Sequence, residues 1–182
     1  MNISLTKIIS GGQTGADLAG LMAAEKLGYQ TGGTAAPQFM TSEGTKMKLL
    51  SGLGLQPLEW KGTWSASYVA RSKKNVQNSD ATLVFRFKAS PGTDKTIGYA
   101  LRGVWETVGV GNEDVIEMCG RKPVLMCQKL TIHTGEEIRK FLIRHEVKTL
   151  NIAGNRGCQE MPTWQNDVER FLLESLPVYQ KM

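Results

Sequence analysis

"ISGGQTGADLAG", Ile9–Gly20, closes an apolar run, passes Gly11, Gly12 and Gly15, and enters a stretch of good helix formers. That order describes a strand, a tight turn and a helix N-terminus. Glycine allows positive φ and a close approach to a ligand, while the first N–H groups of a helix face an anion with the helix dipole behind them. The loop Ser10–Asp17 is therefore a candidate phosphate cradle, with Gln13 inside it and Thr14 adding a hydroxyl donor. Its glycine spacing matches neither the dinucleotide fingerprint nor the P-loop, so taken alone it fits a bare turn as well. Asp17 falls in the first helical turn, where a carboxylate is favourable against the dipole whether or not it touches a ligand.

Outward from this stretch, apolar runs ending in glycine-rich turns alternate with helix-like segments, the pattern of parallel βαβ units. Lys7–Ser10 ends a first strand, and Ala16–Leu27 is a helix with Leu18, Leu21 and Met22 on one face and Gly28 as its stop. "YQTGG" (29–33) is a short strand leading into a loop that runs to Gly44. Lys46–Leu50 is a turn of helix, 55–60 is extended, and Tyr68–Asn78 is helical. "ATLVFRF" (81–87) is a buried strand, stopped by Pro91 and Gly92. Thr93 or Asp94 would cap the next helix, which runs to about Trp105. The segment Gly109–Gly120 fits no single element. "KPVLMCQ" (122–128) is a strand, Gly135–Glu146 a helix with Ile138, Phe141 and Leu142 inward, and "TLNIAG" (149–154) a last strand. A closing helix covers Thr163–Ser175, with Pro162 just before it. The expected architecture is a single α/β domain over residues 1–182, Rossmann-like and doubly wound, with a mainly parallel sheet covered by helices on both faces.

Ligands of such sheets sit beyond the carboxyl ends of the strands. Two further loops there resemble the first in composition: "SPGTDKT" (Ser90–Thr96) and "AGNRG" (Ala153–Gly157). Ser90, Gly92, Thr93, Asp94 and Thr96 are the candidates in the former, with Lys95 adding charge. Asn155 and Arg156 are the candidates in the latter. Arg71 and Asn75 lie four residues apart on one helical face and could reach the same ligand or simply face solvent. Ser79 and Asp80 precede the buried strand, where Asp80 could equally close a turn with Asn78. Trp60, Trp64 and Tyr68 offer flat faces for a purine or pterin, and equally fit padding of the core or of a subunit interface.

Composition narrows the classes. With 182 residues and 41% apolar content, the chain can bury the core of one domain. Its start lacks the pattern of a signal peptide and no apolar run is long enough for a membrane span, so a cytoplasmic protein without membrane contact is expected. Three cysteines without a C-x-x-C spacing and only two histidines point to reduced thiols and no metal centre. The formal charge of +5 favours anionic ligands. The cations are scattered, with no basic block interleaved with aromatics, which argues against nucleic acid as a partner.

Taken together, "ISGGQTGAD", the Gly32-Gly33 pair with a proline soon after, "ARSKKNVQNSDATLVF", "SPGTDKT" and "LNIAGNRG" resemble, in order and over nearly the whole chain, the molybdenum-carrier family. That family lies within the Rossmann-like SLOG superfamily, alongside the lonely-guy phosphoribohydrolases and DNA-processing protein A. The resemblance implies a doubly wound domain, usually a homo-oligomer (dimer or tetramer), with a ligand pocket over the glycine loops. It carries over Gly11, Gly12, Thr14, Gly15 and Asp17 as a first phosphate-facing loop. Arg71, Asn75, Ser79 and Asp80 match the family's polar segment, and Gly92, Thr93 and Thr96 its second phosphate loop. Two departures stand out: Pro37 is followed by Gln38, Phe39, Met40 and Thr41 where the family carries lysine and arginine, and the glutamate of the phosphoribohydrolases has no counterpart in Gly92–Thr96.

The expected function is non-catalytic binding of a phosphorylated, nucleotide-like small molecule. Because the superfamily includes sensors of nucleotide immune signals such as cyclic ADP-ribose relatives, sensing, carrying or sequestering such a signal is the first expectation. Carriage of molybdenum cofactor is the alternative and names the one candidate cofactor. A nucleotide N-glycosidase or phosphohydrolase using Asp94 or Asp17 is the catalytic alternative.

Overall fold

In the computed structural model, which describes residues 3–102, 106–112 and 114–180, strands and helices alternate along the chain. The parallel strands are β1 (Lys7–Ser10), β2 (Gln30–Ala35), β5 (Leu55–Pro57), β6 (Ala81–Phe85), β9 (Val124–Cys127) and β10 (Thr149–Gly154). A small hairpin, β3 (Met40–Thr41) with β4 (Gly44–Thr45), and a larger one, β7 (Glu106–Asn112) with β8 (Val115–Cys119), complete the set. The helices are α1 (Ala16–Lys26), α2 (Met47–Gly52), α3 (Trp64–Gln77), α4 (Pro91–Ala100), α5 (Ile132–Arg144) and α6 (Trp164–Ser175). The main sheet has eight strands in the order β5-β2-β1-β10-β6-β9-β8-β7. Six run parallel, and β8 and β7 add an antiparallel edge. This is the expected doubly wound, mainly parallel α/β fold.

The last strand is not at an edge. Leu150 pairs in register with Ile8 on one side and with Ala81 on the other, so β10 lies between β1 and β6. The carboxyl ends of these three adjacent strands lead into the three glycine- and hydroxyl-rich loops, which are thereby brought side by side.

Each face of the sheet has its own core. On one, Ile8, Leu83, Phe85, Leu150 and Ile152 meet Phe141 and Leu142 of α5 and Val168 and Leu172 of α6. The face α1 turns to this core is made of alanines, Ala16, Ala19, Ala23 and Ala24. Leu18 and Leu21, with Met22 beside them, share one face as expected, and it packs on the other side of the helix against Leu50 of α2 and Leu55 of β5. On the opposite face, Val76 of α3 and Ala100 of α4 pack over Val84, Val124 and Met126.

Several boundaries differ from expectation for identifiable reasons. The helix after β6 is capped by Ser90, not by Thr93 or Asp94: the Ser90 side chain accepts from the Thr93 N–H, and Pro91 occupies the first turn, where a missing N–H costs nothing. Its expected end, Trp105, lies outside the described residues. α3 starts four residues before Tyr68 because Thr63 caps it. Thr131 likewise caps α5 ahead of Gly135. Residues 109–120 fall largely in the β7–β8 hairpin, whose antiparallel strands break the βαβ rhythm. No helix among the described residues is long and apolar enough to cross a membrane.

Candidate functional site

A cleft of about 700 Å3 opens at the carboxyl edge of the central strands, between α3 and α4 and over β10. α3 contributes the stripe Tyr68, Arg71, Ser72 and Asn75, and α4 its N-terminal turn together with Lys95, Thr96 and Tyr99. The floor includes Asn151 and Ala153 of β10, and the loop after β10 supplies Asn155, Arg156, Gly157 and Cys158.

The first loop meets this cleft through Gly11, Gln13 and Asp17, and the rest of it turns inward. Its N–H groups are engaged by protein acceptors. Gly12 donates to Ser10 Oγ at 3.0 Å, Thr14 to Gln13 Oε1 at 3.2 Å, Gly15 to Gln165 Oε1 at 2.9 Å and Ala16 to the Asn155 carbonyl at 3.1 Å. The Gln13 and Gly11 N–H groups favour the ionised Asp17 carboxyl, and Arg71 Nη1 donates to Asp17 Oδ2 at 3.1 Å. Burial outweighs these contacts and pushes the Asp17 carboxyl above its ordinary range. Gly11 is required by that arrangement, since a Cβ there would fall inside the Arg71 guanidinium. The buried Arg71 Nε has no hydrogen-bond partner among the described residues. Thr14 Oγ1 is 2.7 Å from Ser42 Oγ and Gln13 Oε1 also accepts from the Ser42 N–H at 2.7 Å, so both residues fasten the β3–β4 hairpin to the loop.

The second and third loops are more open. Ser90 Oγ donates to Thr93 Oγ1 at 2.8 Å, which leaves the threonine hydroxyl hydrogen for another acceptor. Thr96 Oγ1 donates to the Gly92 carbonyl at 3.1 Å. Lys95 and Arg156 are exposed and carry no protein partner among the described residues. Asn155, by contrast, is 3% exposed, and its Oδ1 accepts from the Phe87 and Lys88 N–H groups at 2.9 and 3.1 Å, tying the two loops together. Asn155→Ala is expected to orphan both donors and cost about 1–3 kcal/mol, read as a lower midpoint in urea with unchanged slope.

Other expected residues lie elsewhere. Asn75 reaches β2, accepting from the Thr34 N–H at 2.7 Å and donating to its carbonyl at 3.0 Å, while still bordering the cleft. Ser79 and Asp80 are at the amino edge of the sheet, where Asp80 Oδ2 accepts from the Lys148 and Thr149 N–H groups and Ser79 Oγ donates to the Val76 carbonyl. Asp94 pairs with Arg86 at 3.0 Å, outside the cleft lining, as are Gly12, Thr14 and Gly15. Trp60 and Trp64 are exposed away from it; Tyr68 borders it.

Sequence reading missed Ser72, Lys88, Tyr99, Asn151 and Cys158. The spacing 68, 71, 72, 75 is one helical stripe and would have found Ser72. Lys88 and Cys158 flank the second and third loops; Lys88 Nζ lies 3.4 Å from Cys158 Sγ and 3.5 Å from Glu160.

Among solved structures, the chain is similar to the "Putative molybdenum carrier protein" of Syntrophus aciditrophicus SB, with 27% identity over 96% of both chains and a TM-score of 0.74. No curated protein matches it. The model of the circularly permutated YpsA SLOG family matches residues 8–176. A permuted order suits this sheet, whose first and last strands are parallel neighbours, so that joining the ends and reopening the chain elsewhere would preserve the architecture. The chain belongs to the circularly permutated YpsA SLOG family.

Proposed function

We propose that this chain binds a phosphorylated, nucleotide-like small molecule in the cleft between α3 and α4 and releases it unchanged, as a sensor or sequestering protein for a signal of the cyclic ADP-ribose type. The observation that carries the reading is the pair of cations without a partner among the described residues, Lys95 and Arg156, beside the N-terminus of α4. A phosphate placed there meets the Gly92 N–H, the Thr93 hydroxyl and the positive end of the helix dipole. The first loop is already served by Asp17, so the phosphate belongs to the second and third loops. Tyr68 and Tyr99 border the same cleft and offer faces to a flat ring.

Binding without conversion follows from the carboxylates. Asp17 is the only one among the described lining residues, and it is held by Arg71 and the loop. Asp94 is turned to Arg86. Neither is free to activate water or steady an oxocarbenium-like centre.

A second reading, carriage of molybdenum cofactor, is favoured by the name of the solved neighbour. The same residues suit it: the cations and α4 for its phosphate, the tyrosines for its pterin, and the Cys158 thiol as a soft group at the rim.

Rapid purification, denaturation and mass spectrometry of the released small molecules separate the two. An intact signalling nucleotide is expected; a molybdopterin would replace the first reading by the second. Arg156→Ala and Lys95→Ala should each weaken the recovered ligand about tenfold by calorimetry, the scale of one charge-assisted hydrogen bond. Nucleotide conversion that vanishes in Asp94→Asn would overturn the binding-only reading.

A further inference from the structure

At the amino edge of the sheet, remote from the cleft, Glu117 and Cys119 of β8 face the C-terminal end of α5. Glu117 is 1% exposed and held at both oxygens: Arg144 donates to one, and the other lies 2.8 Å from His145 Nε2. The Glu117 oxygen, Cys119 Sγ and a His145 ring nitrogen all lie within 4.8 Å of one another. Cys119 and His145 are half-buried, so the cluster is not sealed from solvent.

We propose that Glu117, Cys119 and His145 form a binding site for a divalent cation of the zinc type, independent of the cleft. The donors are one carboxylate oxygen, one thiolate and one imidazole nitrogen, a mixed set that suits a borderline-soft metal rather than magnesium or calcium. In a tetrahedral zinc site, donor atoms stand roughly 3.3–3.8 Å apart, as follows from bond lengths near 2.0–2.3 Å. The cluster therefore needs only small shifts: the Glu117–His145 pair, now 2.8 Å apart, opens by about 0.5 Å while Cys119 Sγ draws in, and water serves as the fourth ligand. The cation takes the place of the hydrogen between His145 Nε2 and Glu117; the ring gives up its Nε2 proton and keeps one on Nδ1, and the Cys119 thiol gives its proton to solvent as the metal–sulfur bond forms. Arg144 keeps the second carboxylate oxygen and so fixes the direction of the first, the usual task of an outer partner. The bound ion would pin the β7–β8 hairpin to the end of α5.

The test uses the intact protein, stripped with chelator and titrated with cobalt(II), then zinc(II). One equivalent of cobalt should give a thiolate-to-metal charge-transfer band with tetrahedral visible bands, abolished by zinc. Cys158→Ser should keep the band, and Cys119→Ser should lose it and weaken zinc at least tenfold or so. On the unaltered chain, zinc should slow alkylation of Cys119 as mapped by mass spectrometry, which serves even if the Cys119 variant does not fold. No charge-transfer band, a band that survives Cys119→Ser, or zinc-independent alkylation of Cys119 would overturn the proposal and leave a plain Glu117–Arg144–His145 ion-pair network.

Discussion

Arg71→Met is expected to cost about 3–5 kcal/mol at pH 7, the penalty for leaving one member of a buried ion pair without its partner. In a chain of this size that corresponds to a fall in melting temperature of roughly 10 °C or more. Burial already lifts the native Asp17 carboxyl above the ordinary value of 3.8 that it regains on unfolding, and Arg71 is the strongest influence holding it down. Without Arg71 it rises further. Between the unfolded and native values the native state binds more protons, so stability falls as pH rises through that window and recovers as pH drops towards about 4. The deficit of Arg71→Met against the parent should therefore be largest at neutral pH and shrink in acid. Asp17→Leu combined with Arg71→Met removes both charges together and should restore most of the loss. Thermal melts of the three variants at pH 7 and pH 5 check this. A deficit that does not change with pH, or a double variant worse than the single, would mean that the guanidinium matters for packing against Gly11 and not for the carboxylate.

The residues of this pair were legible in the sequence but their relation was not. Asp17 was readable as a first-turn carboxylate and Arg71 as part of a polar helical stripe; that one answers the other depends on α3 lying beside the loop after β1, a contact across 54 positions. The three loops were legible because their chemistry is local: glycines, hydroxyls and a cap are set by neighbours a few residues away. Their adjacency was not, because it depends on β10 entering the sheet between β1 and β6, and no local pattern states strand order. Ser79 and Asp80 show the same limit in reverse. They continue the motif begun by Arg71, yet α3 climbs about 1.5 Å per residue away from the carboxyl edge, so its end and the start of β6 are carried to the far side of the sheet. Asp80 there joins the start of β10, as Asn155 joins the loops at its end. The cluster of Glu117, Cys119 and His145 has no local signature, since a strand and a helix more than two dozen residues apart supply it.

Gly15→Ala is expected to cost about 3 kcal/mol or more, although the residue does not itself line the cleft. Gly15 stands immediately before α1 with φ +89° and ψ −136°, a region that L side chains rarely adopt and whose strain is about 1–3 kcal/mol. A Cβ there would also stand 2.5 Å from the Asn155 carbonyl oxygen and 2.6 Å from Arg156 Cα, both backbone atoms that cannot swing aside. Overpacking of that kind adds about 1–3 kcal/mol. The same carbonyl oxygen accepts from the Ala16 N–H and from Trp164 Nε1, so pushing it away loosens the start of α1 and of α6 together. The variant should unfold at lower urea, and its surviving native fraction should bind the cleft ligand more weakly, because the displaced loop carries Arg156. Gly92→Ala offers the contrast: a Cβ there meets open space within 4 Å, so stability should stay within about 0.5 kcal/mol of the parent. If Gly92→Ala nevertheless lowers affinity, the loss lies at the α4 end of the cleft, where the phosphate is placed. If Gly15→Ala leaves stability unchanged, the loops after β1 and β10 are not packed as described, and the convergence of the three loops on one cleft would have to be abandoned.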